Sequence, residues 1–120
     1  MRKSQDEMCL MTGQAGTFHW MAPEILENKA YTNKADVYSY GIVLWELICR
    51  EPPFKNYNAH DIIYRVINYK ERPSYSAIPP DCPKDLLSIM GKCWDQNPDN
   101  RPPFEDIIRG LKKISGNIPE

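Results

Sequence analysis

Nothing in these 120 residues is apolar for long enough to cross a bilayer. The most apolar run, VYSYGIVLWELIC from Val37 to Cys49, is too short for a span and holds Glu46 inside it. It reads as a buried helix, and no membrane partner is expected. Charge of one sign is also missing. Fifteen Lys and Arg stand against sixteen Asp and Glu, a formal net charge of -1, which leaves no field to attract nucleic acid. The four cysteines, Cys9, Cys49, Cys82 and Cys93, fall at wide intervals with no CxxC pair, and His19 and His60 complete no ligand set. Zinc and a disulfide scaffold are therefore not expected. The opening MRKSQDEMCLM has basic residues but no apolar core of a secretory signal, so the expected compartment is reducing and cytoplasmic. Internal repeats and low-complexity tracts are absent, and no run of four or more residues alternates apolar with polar between turns. No strand is expected.

What is present is helical patterning around a single core. With 42% of residues apolar the chain suits one domain. Residues 1–15 mix charges, Met, Thr and Gly without a period and read as a flexible segment. Pro23 permits a short helix from Glu24 to Glu27, since proline is tolerated in a first turn. From Lys34 to Arg50 apolar residues cover every side of a helical wheel, so this helix needs neighbours all round. Thr32 or Asn33 is its expected cap, and Pro52-Pro53 closes it. A helix from Ala59 to Tyr69 is one-sided, with Ile62, Ile63, Val66 and Ile67 on its apolar face. A further helix, Lys84 to Trp94, presents Leu86, Leu87, Ile89, Met90 and Cys93. The last repeats Phe104, Ile107, Ile108 and Leu111 at helical spacing. Residues 115–120 read as a fraying tail. The expected fold class is all-α.

Three stretches, GTFHWMAPE at Gly16 to Glu24, DVYSYGIVLWEL at Asp36 to Leu47 and CWDQNPDNRPPF at Cys93 to Phe104, resemble the C-terminal lobe of a protein kinase. Three residues such as Ala22-Pro23-Glu24 recur by chance, but three motifs in family order and spacing from about Met11 to Ile114 are a specific signal. MTGQAGTFHWMAPE is most similar to the tyrosine-kinase-like group, the Raf-like and mixed-lineage enzymes, which phosphorylate Ser or Thr in most members. The resemblance implies a partial kinase domain over residues 16–114, with residues 1–15 the remnant of an activation loop.

On that resemblance, Thr17 would hydrogen-bond a catalytic aspartate and lysine that this chain does not contain. Phe18 to Ala22, with Trp20, would form the shelf beneath the substrate residue after the phosphoacceptor. Thr12, and less strongly Ser4, would be phosphosites, where added charge orders a loop; both also read as solvated loop residues. Glu24 and Arg101 would form a buried structural ion pair. Asp36 would bond the backbone of the catalytic loop, or simply place a carboxylate at a helix N-terminus. Trp94 would pack under the last helix, and Glu46 meets basic substrate residues in some relatives. Pro103 departs from the family pattern, which places Ser or Thr there as a cap.

Phosphoryl transfer needs a phosphate cradle, a phosphate-binding lysine, metal-binding Asp and Asn and a catalytic Asp. GxGxxG, a VAIK-like lysine, HRD and DFG are all missing from these residues, so no catalytic, cofactor or metal residue is expected. ATP and Mg²⁺ belong by implication to a longer parent. This chain reads as an inactive kinase portion, with a docking or regulatory module as the alternative. Its partners would be protein substrates or regulators engaging Ile62, Ile63, Val66 and Ile67, for which core packing is the competing reading. Apolar surface left open on the central helix would favour self-association.

Overall fold

The computed structural model describes residues 15–117, and every regular element among them is helical. A 3-10 turn, Ala15–Trp20, leads into the four-residue helix α1, Pro23–Leu26. Proline opens α1 because its missing N–H has no use in a first turn, and the Ala22 carbonyl accepts from Ile25 and Leu26.

Helix α2, Lys34–Cys49, is the axis of the fold. The Thr32 hydroxyl accepts from the Lys34 N–H at 3.2 Å, while Asn33, the capping position itself, makes no side-chain cap bond. At the other end Arg50 turns left-handed, with φ 57°, and its N–H closes on the Glu46 carbonyl at 2.8 Å. The all-round apolar pattern buries Val37, Tyr38, Ile42, Leu44 and Trp45, but Leu47 is 67% exposed. The open side carries Asp36, Tyr40, Val43 and Leu47 at steps of four and three residues.

Helix α3, Ala59–Tyr69, starts with a reciprocal box: Asn58 accepts from the Asp61 N–H at 2.9 Å, and Asp61 accepts from the Asn58 N–H at 3.2 Å. Lys70, at φ 55°, ends it. Helix α4, Lys84–Cys93, packs along α2 more extensively than any other pair of elements. Gly41 makes the close approach possible, because a Cβ there would sit 2.9 Å from the Cys93 Cβ and 3.2 Å from the Met90 carbonyl oxygen.

Helix α5, Phe104–Asn117, hangs on a small second cluster of Val37, Cys93 and Ile107. In place of a hydroxyl cap, the Pro103 carbonyl accepts from Asp106 and Ile107. Two expectations change here. Ser115, Gly116 and Asn117 are helical rather than part of a frayed tail, since the chain meets no proline until Pro119. Of the expected apolar face only Ile107 is buried, and Phe104 and Ile108 stay exposed. Leu86, Leu87 and Ile89 of α4 are likewise half-buried, with Met90 and Cys93 alone fully enclosed.

Candidate functional site

The segment from Phe18 to Ala22 lies along one face of α2, held by bonds two helical turns apart. Ser39 Oγ donates to the Trp20 carbonyl at 2.7 Å, and Trp20 Nε1 donates to Glu46 Oε1 at 3.1 Å. Ser39 and Glu46 share a face because seven residues complete nearly two turns. A third tie joins the His19 imidazole, through Nε2, to the Tyr57 carbonyl at 2.9 Å. Phe18 and Trp20 are half-buried, while Met21 and Ala22 are buried in the main core. Trp20, held through both its carbonyl and its indole, and His19 fasten the middle of the strip, and Met21 and Ala22 seat its end in the core.

Immediately after it, Glu24 meets Arg101. Arg101 Nη1 donates to Glu24 Oε2 at 2.7 Å and Nη2 to Oε1 at 3.0 Å, a two-bond fork. The remaining guanidinium donors reach the carbonyls of Asp95, at 2.8 Å, and Lys34, at 2.9 Å. Burial leaves both charged groups almost no water, so these bonds replace hydration rather than add to it.

The Arg101 guanidinium also lies over the Tyr38 ring, 5.2 Å from its centroid, and Arg72 lies over the same ring at 4.9 Å. Arg72 donates from Nε to the Trp94 carbonyl at 2.9 Å and from Nη2 to Gln96 Oε1 at 2.6 Å. Burial pushes the Tyr38 phenol up against the lowering influence of Arg72 and Arg101, and burial pushes Arg72 down. Among the described residues the Tyr38 hydroxyl and His19 Nδ1 are buried without a hydrogen-bond partner.

Arg72 and Ser39 were not among the residues expected from the sequence, and Glu46, which meets basic substrate residues in some relatives, here accepts from Trp20. Two signals were available: a lone carboxylate inside the most apolar helix needs a partner, and Arg72-Pro73 repeats the dipeptide Arg101-Pro102.

Trp94 is buried in the main core with its ring edge-on to Tyr75, 6.1 Å away. The neighbouring Cys93, not Trp94, belongs to the cluster that seats α5, because consecutive residues of a helix end face different directions. Asp36 is exposed in the first turn of α2, where a carboxylate complements the helix dipole. Ser4, Thr12 and the side chain of Thr17 lie outside the described residues.

On α3 the four isoleucine and valine positions divide. Ile62 and Val66 are 0% and 1% exposed and belong to the core, so neither can touch a partner. Ile63 and Ile67 are half-buried against the same core. No three His, Cys, Asp or Glu side chains among the described residues gather as a metal-binding group. No described helix is long and apolar enough to cross a membrane.

Comparison with known proteins agrees with this geometry. The sequence profile described as protein tyrosine and serine/threonine kinase matches residues 1–111. The dual specificity protein kinase shkD of Dictyostelium discoideum is 45% identical over 100 residues, covering 82% of this chain and 13% of that protein. The serine/threonine/tyrosine-protein kinase HT1 of Arabidopsis thaliana is 40% identical over 108 residues, 90% of this chain and 27% of its own length. The serine/threonine-protein kinase STY17, also of Arabidopsis thaliana, is 40% identical over 110 residues, 92% of this chain and 19% of its own. The chain thus spans only a small part of each relative.

Proposed function

The chain belongs to the protein tyrosine and serine/threonine kinase family, and from that premise we propose that it supplies the substrate shelf of a kinase C-terminal lobe. The whole enzyme would transfer the γ-phosphate of ATP to Ser or Thr hydroxyls of cytoplasmic proteins in signal transduction. The observation that carries this reading is the double anchoring of Trp20, in the middle of Phe18 to Ala22, on Ser39 and Glu46, continued by the buried Glu24–Arg101 fork. A peptide laid on this strip meets a surface already held in place, so less ordering is required when it binds.

The shelf residues orient a peptide; they accept no proton and carry no phosphate. Thr17 would contact the catalytic aspartate and lysine supplied by other parts of the enzyme. ATP and Mg²⁺ would bind there too, where a kinase carries its phosphate cradle and its metal-binding Asp and Asn. Protein partners would meet the shelf and the flank of α3 at Ile63 and Ile67. Thr12 and Ser4 remain the proposed phosphosites.

A chimera tests the reading. Residues 1–120 replace the matching stretch of HT1, and phosphorylation of a protein substrate is measured with and without Thr17→Val. An active chimera that loses turnover on Thr17→Val, with ATP binding unchanged, supports the shelf. A folded chimera without activity, or saturable one-site ATP·Mg²⁺ binding to the 120 residues alone by calorimetry, overturns it.

A further inference from the structure

Cys49 ends α2, and Cys82 stands two residues before α4. Neither thiol has a part in the shelf, and both are free and half-buried. Their placement follows from the way the two helices cross. Gly41 of α2 lies against Met90 and Cys93 of α4. Eight residues further along α2, about 12 Å of helix, comes Cys49. Eight residues back from Met90 comes Cys82, so an antiparallel crossing brings both cysteines to the same end of the interface.

That direction is supported by packing, because Val37, four residues before Gly41, clusters with Cys93 at the far end of α4, and Cys82 lies near enough to help push the Cys49 thiol up. The other cysteine of the described core, Cys93, is enclosed with Val37 and Ile107 at the opposite end of α4 and does not compete.

We propose that Cys49 and Cys82 are a redox modification site, joined by a reversible intramolecular disulfide when the protein meets hydrogen peroxide. One thiolate attacks peroxide, breaking the O–O bond and leaving a sulfenic acid, with the second oxygen departing as water. The other thiol sulfur then attacks the sulfenic sulfur, forming the S–S bond and expelling the hydroxyl oxygen as a second water. Two thiols and one peroxide become one disulfide and two waters.

The bridge would tie the end of α2 to the start of α4 and close a loop that contains α3. Reaction is slow at neutral pH, because burial holds both thiols above their ordinary values, with Glu51 near Cys49 and Asp81 near Cys82 pushing the same way. The site answers sustained oxidation rather than a brief pulse.

The test treats the full chain with hydrogen peroxide under native conditions, caps remaining thiols, and maps linked peptides by mass spectrometry in the monomeric fraction. The expected result is a cross-link joining Cys49 to Cys82, loss of two hydrogens, reversal by dithiothreitol and a Tm raised by several degrees. Cys49→Ser and Cys82→Ser each abolish it, while Cys9→Ser does not. Cys49 and Cys82 remaining free, or appearing only as separate oxyacids or in links between chains, overturns the proposal. The wild-type map decides the matter even where a serine variant fails to fold.

Discussion

Arg101 grips Glu24 through two parallel hydrogen bonds across 77 residues of sequence. The pair joins the end of the shelf to the loop before α5. Since Arg101 also holds the carbonyls of Asp95 and Lys34, one side chain organises three separate backbone segments.

Glu24→Leu leaves that guanidinium buried and charged with no counter-charge. Unfolding stability should fall by about 3–5 kcal/mol, and Arg101→Met should be of similar severity. The double variant Glu24→Leu with Arg101→Met should lose less than the sum, because no orphan charge remains. Urea titrations of all four proteins measure the coupling; additive losses would show that the two groups stabilise independently.

Gly41 is placed where α2 and α4 touch. Gly41→Ala puts a methyl 2.9 Å from the Cys93 Cβ, and the helices must separate at a cost of about 1–3 kcal/mol. Gly116→Ala has nothing within 4 Å of the new methyl and should gain up to ~1 kcal/mol of helix propensity. Opposite shifts in Tm are expected from this chemically identical change.

Burial pushes the Cys93 thiol up to about 11 from 9.0. Above pH 9 the unfolded chain gives up this proton while the folded chain keeps it. The contribution is fully present below pH 9 and is lost as pH rises toward 11, a loss on the order of 2 kcal/mol. Stability measured from pH 8 to 11 should therefore fall more steeply for wild type than for Cys93→Ala. Parallel curves would mean that the thiol ionises as readily folded as unfolded.

The open side of α2 continues onto α5, where the Tyr40 and Phe104 rings meet edge-on at 5.8 Å. Leu47 and Ile108, 67% and 51% exposed, extend this apolar surface at either end. We expect the chain to self-associate in sedimentation velocity runs. Leu47→Lys with Ile108→Glu should shift it toward monomer with little change in Tm, as neither side chain supports the core. An unchanged distribution would place the association elsewhere.

The sequence by itself determined which segments are helical and roughly where most of them begin and end, because local spacing and turn residues act within a few residues. Pro23, Pro52-Pro53 and the 3.6-residue periods all declare themselves that way. Its kinase resemblance was carried by short motifs equally local in form. Tertiary structure decided which face of α2 stayed open, since an all-apolar wheel does not say where its neighbours will stand. It also assigned Glu46 to Trp20, put Ile62 and Val66 out of reach in the core, and placed Arg72 and Arg101 on the one Tyr38 ring. Such relationships depend on how α2, α3 and α4 pack in space, and residues distant along the chain become partners only when that packing is complete.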